Sequence, residues 1–133
     1  MSLLPEVRDQ IGRALLMGMP DGVAVVNQQG RLVETNPALD RILGYDPGEL
    51  TGKALSDLLP QRYVERHHGH VHQFFHDPHT REMGPGRELW CLRADGGEIP
   101  VRISLTMVPV NGETLAVAMI RDQRDQWRQE QAQ

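Results

Sequence analysis

Residues 87–121 read RELWCLRADGGEIPVRISLTMVPVNGETLAVAMIR, which is three apolar segments separated by two short turns. The turns contain Asp95-Gly96 and Asn111-Gly112, dipeptides that are typical of tight β-hairpins. Between the turns, apolar and polar side chains alternate, and this alternation indicates a strand with one buried face and one wetter face. We therefore predict three consecutive antiparallel strands, over residues 87–93, 98–110 and 114–121.

Upstream of this stretch, the sequence predicts another hairpin and several short helices. Residues 22–27 form a short segment rich in β-branched valine and are predicted as a strand, and residues 31–34 form a second strand after a turn. Asn36-Pro37 combines an N-cap residue with proline at the first helical position, and Gly44 ends that helix. Two more helical segments are predicted, over residues 56–59 and 61–75. Because strands and helices are grouped rather than alternating, we expect an α+β fold, with short helices packed on one face of a five-stranded antiparallel sheet.

Length and composition exclude several classes of protein. A chain of 133 residues fits one domain, and 39% hydrophobic with 24% charged residues is unlike a disordered chain. The net charge of −4 excludes a strongly basic surface for nucleic acid, and the single cysteine, Cys91, excludes an intrachain disulfide. No apolar run approaches the roughly 20 residues that span a bilayer, and no secretory signal opens the chain. We expect a cytoplasmic location.

The predicted helix over residues 61–75 carries the candidate binding site. On an ideal helix with about 100° per residue, His67 lies at the centre of the apolar stripe. The stripe also contains Tyr63, Val64, His70, Val71 and Phe74. A buried imidazole needs a partner for its ring nitrogens, and two interpretations remain open. The histidine is bonded to a backbone carbonyl in the core, or it binds a haem iron.

Six motifs, in order along the chain, resemble the PAS domain, a small sensory module of bacterial signalling proteins. They are Pro20-Asp21-Gly22-Val23, residues 33–38 (VETNPA), Leu43-Gly44-Tyr45, residues 49–53 (ELTGK), residues 93–101 (RADGGEIPV) and the last strand with Arg121-Asp122. The resemblance covers roughly residues 17–122. It implies that the sheet and the helices enclose a ligand cavity, and that terminal helices dimerise and pass a signal to an output domain.

The resemblance extends in part to haem-binding PAS oxygen sensors. In those proteins the proximal histidine lies on this helix after a proline, and an arginine at the start of the next long strand stabilises bound oxygen. Pro60, His67 and Arg87 are similar to that pattern, and the 20 residues from His67 to Arg87 agree with its spacing. The resemblance thus implies haem b as a cofactor, with His67 as the axial ligand. The alternative places Arg87 in a salt bridge with Glu82 or Glu88. The expected cofactor-binding residues are His67, His70, Val71, Phe74, Arg87 and Leu89.

The resemblance divides the chain into an N-terminal helix (1–17), a PAS domain (18–122) and a C-terminal linker or signalling helix (123–133). The first helix is amphipathic, and its apolar stripe contains Leu4, Val7, Ile11 and Leu15. This stripe packs on the chain's own sheet or forms a homodimer, which we favour. The polar tail has Trp127 as its one large apolar side chain, so we expect the exit helix to fray. The resemblance also implies an output domain of kinase, cyclase or transcription-regulator type, as in two-component systems, which we expect outside this chain.

Rival functions have weaker support in the sequence. His68, His72 and His76 follow each other at helical spacing, so pairs of them could hold a divalent metal in a small metal-dependent enzyme. No carboxylate or cysteine at matching spacing completes such a site, and no nucleophile elbow or phosphate loop is present, so we do not expect an enzyme. Cys91 lies on a predicted strand, which disfavours a flavin photosensor. The remaining rival is a PAS module that only dimerises.

Overall fold

The computed structural model describes residues 4–61, 81–82 and 89–132. The elements in this part of the chain are α1 (Pro5–Gly18), β1 (Gly22–Val26), β2 (Leu32–Thr35), α2 (Pro37–Leu43), a 3-10 helix (Leu55–Leu58), β3 (Arg81–Glu82), β4 (Leu89–Leu92), β5 (Glu98–Val110), β6 (Glu113–Asp122) and α3 (Arg124–Gln131). The helix predicted over residues 61–75, beyond its first residue, and the histidine cluster lie outside the described residues.

The strands form one antiparallel sheet in the spatial order β2-β1-β6-β5. The far edge of β5 pairs with β3 at Leu105 and with β4 at Val101, so these two short strands share one position in the sheet. The predicted α+β class and five-stranded antiparallel arrangement are confirmed. Among the described residues, the addition is β3, a strand of two residues that is too short to show a period of its own in the sequence.

The β5–β6 hairpin forms where the sequence predicts it. Strand β5 spans Glu98–Val110, and Val110 pairs with Glu113 across a two-residue turn. Asn111 and Gly112 both have positive φ, of 48° and 80°. Positive φ at both central positions is the geometry of the turn that matches the twist of paired strands, and Asn-Gly adopts it most readily.

The core lies between one face of the sheet, here called the inner face, and the helices that pack on it. Ile99, Val101, Ile103 and Leu105 of β5 point inward and are buried, whereas Arg102 points outward and is exposed. Buried side chains of α2 and the 3-10 helix complete this core, namely Leu39, Ile42, Leu43 and Leu58. Helix α2 and the 3-10 helix therefore pack on the inner face, as predicted for the short helices.

Glycine at position 22 lets α2 lie close to β1. A Cβ atom there would be 2.8 Å from Leu39 Cδ1 and 3.1 Å from Leu39 Cα. Helix α2 itself begins at the predicted cap, because the Asn36 side chain accepts a hydrogen bond from the Leu39 amide. It ends at Gly44, which has a φ of 80° and donates its amide to the Asp40 carbonyl.

Candidate functional site

The described part of the candidate site is an apolar wall on the inner face, formed by β4 and β5. Leu89 and Cys91 of β4 lie opposite Val101 and Ile99 of β5. Cys91, Val101 and Ile99 are almost fully buried, and Leu89 is half-buried against the same core. The side chains are all apolar in character, so this wall can contact an apolar ligand face or pack against further chain.

Leu89 is the one predicted cofactor-binding residue that lies among the described residues. It belongs to the inner wall, and its backbone pairs with β5. Its role in cofactor binding stays a prediction. The other five, His67, His70, Val71, Phe74 and Arg87, lie outside the described residues, and their roles stay predictions. Within 4–61, 81–82 and 89–132, no group of three or more histidine, cysteine, aspartate or glutamate side chains could hold a metal ion.

Cys91 is chemically quiet despite its place in this wall. Burial raises the pKa of its thiol from the ordinary 9.0 to about 12. A thiol with that pKa is neutral at physiological pH, and only the thiolate is a good nucleophile or metal ligand. Cys91 therefore contributes to packing.

Asn36 joins the N-terminal helix to the sheet and to α2. Its side-chain oxygen accepts hydrogen bonds from the amides of Val23 (2.8 Å) and Leu39 (3.1 Å). Its side-chain nitrogen donates to the carbonyls of Leu16 and Asp21, both at 3.0 Å. The sequence predicts the cap on α2, but the bonds to Val23, Leu16 and Asp21 depend on tertiary contacts. One buried side chain therefore fixes where α1 meets the domain.

The apolar stripe of α1 lies open in the monomer. Leu4 and Leu15 are 67% and 63% exposed, and α1 has no buried residue. Packing of this stripe on the chain's own sheet, one of the two alternatives in the sequence, is therefore not the observed arrangement. An uncovered stripe of this kind is typical of an interaction surface.

The exit of α1 and the end of β6 are joined by an ion pair. Arg121 donates to both carboxylate oxygens of Asp21, at 3.1 and 3.3 Å. The hydrogen bonds and the charge of Asp21 raise the pKa of the Arg121 guanidinium. The arginine side chain is mostly exposed, so the pair orients the two segments more than it stabilises them.

The C-terminal segment is a docked helix, which corrects the expectation that it frays. Helix α3 spans Arg124–Gln131, and the Trp127 ring meets the Trp90 ring edge-on, with centroids 5.6 Å apart and planes at 83°. The backbone amide of the buried Gln123 donates a hydrogen bond to the Pro100 carbonyl at 2.9 Å. Trp90 is the partner that the sequence did not single out, and its signal was its alternation with Leu89 and Cys91 along β4.

Asp122 begins the turn into α3. Its carboxylate accepts hydrogen bonds from the Arg124 amide at 2.9 Å and from the Arg124 guanidinium, the shortest at 2.7 Å. Burial opposes ionisation of Asp122, but these bonds and the Arg124 charge lower the pKa of the carboxyl below its usual value.

None of the described helices is long and apolar enough to cross a membrane.

Two sensor proteins are similar in sequence to this chain. The oxygen sensor protein DosP of Escherichia coli (strain K12) is 27% identical over 114 residues, which cover 81% of this chain and 14% of the relative. The sensor protein FixL of Bradyrhizobium diazoefficiens is 27% identical over 112 residues, which cover 83% of this chain and 22% of the relative. The chain thus spans less than a quarter of the length of these two proteins.

A solved structure has the same architecture along most of the chain. The PAS domain of an HTR-like protein from Haloarcula marismortui superposes with a TM-score of 0.73 at 25% identity, covering 88% of this chain and 94% of that one. A family model described as the PAS domain matches residues 20–125. That range runs from the exit of α1 into the start of α3 and includes every strand described above. The chain therefore belongs to the PAS domain family.

Proposed function

We propose that this chain is the sensory module of a bacterial signal-transduction protein, and that it binds a small molecule or cofactor against the inner wall. The observation that supports it is the position of the two flanking helices. Helix α1 leads into β1 and α3 follows β6, and these two strands pair so that the start of one lies beside the end of the other. Gly22 at the start of β1 lies opposite Ile120 near the end of β6, and the Asp21–Arg121 ion pair joins the same ends. The inner faces of these strands belong to the core that includes the wall. In this proposal the module is cytoplasmic and does not catalyse a reaction.

The proposed output lies beyond α3. A ligand moves an equilibrium only by the difference in its affinity for two arrangements, so the bound and free forms must differ where the helices leave the sheet. Two curated relatives are several times longer than the segment matched here, and both are sensors by name. We propose an output domain of kinase, cyclase or transcription-regulator type at the C-terminal side.

A haem-based gas sensor is the more specific candidate, with His67 as the axial ligand. The similarity to an oxygen sensor protein favours it, together with the Pro60, His67 and Arg87 pattern. The described wall fits such a group, because a porphyrin face requires apolar contacts of the kind that Leu89 and its buried neighbours offer. When bound, haem would supply the gas-binding centre, His67 would hold the iron, and Arg87 would donate to the bound gas.

An absorption spectrum tests the haem candidate. The purified chain is titrated with haemin, and we expect a Soret band that saturates at one haemin per chain. His67→Ala should abolish this band, whereas His72→Ala, on the opposite face of the same predicted helix, should leave it unchanged. No band in the wild-type chain, or equal loss in both variants, rejects His67 as the axial ligand. The broader sensory proposal then depends on other ligands.

The open stripe of α1 supports a homodimer. Val7, Ile11 and Leu15 follow each other at intervals of four residues and are exposed in the monomer. Light scattering after size exclusion should give twice the monomer mass of 15.0 kDa for the wild type. Ile11→Asp should give the monomer, and Gln10→Asp, which adds the same charge beside the stripe, should keep the dimer. A chain that dimerises through this stripe but binds no ligand would be a dimerisation module only.

A further inference from the structure

Strand β4 has one residue facing the candidate ligand wall and the next facing the exit helix. Leu89 and Cys91 point to the inner face, where they join the core. Trp90, between them, points to the outer face by the alternation of a strand, and there it meets Trp127 of α3. A displacement of β4 therefore moves both surfaces together.

A second contact holds the start of α3 at the same place in the sheet. Pro100 lies directly opposite Trp90 in the β4–β5 ladder, and its carbonyl accepts the Gln123 amide at 2.9 Å. Gln123 precedes α3 and is 9% exposed. The ring contact and this hydrogen bond thus attach the start of α3 to Trp90 of β4 and to Pro100, its partner on β5.

The ion pairs of α3 are local and cannot replace these attachments. Arg124 pairs with Asp122, two residues earlier, and Arg128 pairs with Asp125 within the helix. The Arg128–Asp125 pair moves with α3, whereas the Arg124–Asp122 pair joins α3 only to the last residue of β6, to which the chain already connects it. Helix α3 has only eight residues and no buried side chain, and isolated helices of that length are marginal in water. Its order depends on what it contacts.

We infer that Trp90 is a positioning residue that couples the ligand wall to the exit helix, so that a shift of β4 changes the fraction of molecules in which α3 is docked. This inference rests on the proposed function, since it assigns the route by which occupancy of the wall would reach an output domain. An edge-on aromatic contact is directional and short-ranged, so a small displacement of one ring weakens it. Such a contact changes an equilibrium by roughly two- to tenfold.

The two tryptophans of the chain provide the first readout. They are its only tryptophans, so fluorescence and the coupled circular dichroism of the two rings report this contact without a label. Trp127→Ala should remove the coupled signal and raise amide exchange in α3 by roughly two- to tenfold. It should leave exchange in β5 and β6 unchanged. Trp127→Phe, which keeps an aromatic ring, should give an intermediate value and remains informative if the alanine variant does not fold.

The decisive test starts at the wall. Leu89→Ala trims the inner face of β4 and does not touch Trp127, so an increase in α3 exchange must pass through the strand. This increase should be lost when Leu89→Ala is combined with Trp127→Ala. Leu39→Ala, in the same core but on α2, is the control, and its effect on α3 should not depend on Trp127.

Additive effects of Leu89→Ala and Trp127→Ala on α3 exchange would overturn the inference, as would the same coupling for Leu39→Ala. The measurements use no ligand, so failure here leaves the binding proposal in place. Conversely, absence of ligand binding would not change the measured coupling between β4 and α3. The two failures are therefore distinguishable.

Discussion

Asn36→Ala should be among the most destabilising single substitutions in the described part of the chain. The side chain is 1% exposed, and alanine would remove its four hydrogen bonds to Val23, Leu39, Leu16 and Asp21. Each such bond contributes about 0.5–1.5 kcal/mol net, and an N-cap alone contributes about 1 kcal/mol. Water reaches some of the freed carbonyls, so we expect a loss of about 3–4 kcal/mol in the free energy of unfolding. That is a large fraction of the roughly 5–15 kcal/mol of a typical domain.

Urea unfolding, followed by tryptophan fluorescence and by far-UV circular dichroism, measures this loss. Asn27→Ala is the matched control, because Asn27 also accepts two amide hydrogen bonds, from Gln29 (3.0 Å) and Arg31 (2.9 Å), but in an exposed turn. We expect it to cost less than about 1 kcal/mol, since water replaces the lost oxygen. Asn36→Ser keeps an oxygen for the cap and should recover about 1 kcal/mol. If Asn36→Ala and Asn27→Ala cost the same, the idea that Asn36 holds the junction is refuted.

Four further tests, at Cys91, Asp122 and Gly22, concern the packing and the electrostatics. The Cys91 thiol, with a pKa raised to about 12, should react with a thiol reagent only as fast as the domain unfolds. Because this raised pKa favours the protonated folded form, stability should fall as the pH rises from 9.0 toward 12. Asp122, with its lowered pKa, should stabilise the fold above pH 3.8 and lose that effect as the pH falls through its folded pKa, and Arg124→Gln should weaken this dependence. Gly22→Ala should cost about 1–3 kcal/mol, since its Cβ would lie 2.8 Å from Leu39 Cδ1.

Each of these results has a control that separates it from a general loss of stability. Gly12→Ala, on exposed α1 with nothing within 4 Å of the new Cβ, should stabilise its helix by about 0.5–1 kcal/mol. Equal costs at Gly12 and Gly22 would contradict the close approach of α2 to β1. Rapid modification of Cys91 in the folded chain would contradict its burial. An acid limb that Arg124→Gln leaves unchanged would contradict the contribution of Asp122.

The features that the sequence predicts well are those that depend on neighbouring residues. Strand β5 has the predicted bounds because polar and apolar side chains alternate through its middle, from Val101 to Met107, and Asn111-Gly112 specifies its turn without outside help. The caps of α2 at Asn36 and Gly44 are local in the same way. Strand β3 is different, because two residues cannot carry a period, and its existence depends on the adjacent edge of β5.

In the candidate site, too, contacts between residues distant in sequence could not be predicted. All four residues of β4 are apolar, so its sequence does not say which face Leu89 takes, and only the structure shows that Leu89 packs against the core. Its role in cofactor binding stays a prediction. The roles of His67 and Arg87 came from the family resemblance and stay predictions. The Asp21–Arg121 pair joins residues 100 positions apart, and neither side chain has a sequence signal that names the other. Contacts of this kind are set by the strand order rather than by local sequence.

The stability of the exit helix α3 could not be predicted from the sequence of that helix alone. Residues 123–133 are polar and short, and from them alone a frayed end is the correct expectation. In the structure, the helix contacts the Trp90 ring of β4, and the Gln123 backbone amide bonds to the Pro100 carbonyl of β5, and local propensity includes neither contact. The order of α3 is therefore a property of β4 as much as of its own residues. In the proposed sensory function, this dependence on β4 is what would let a change at the ligand wall reach α3.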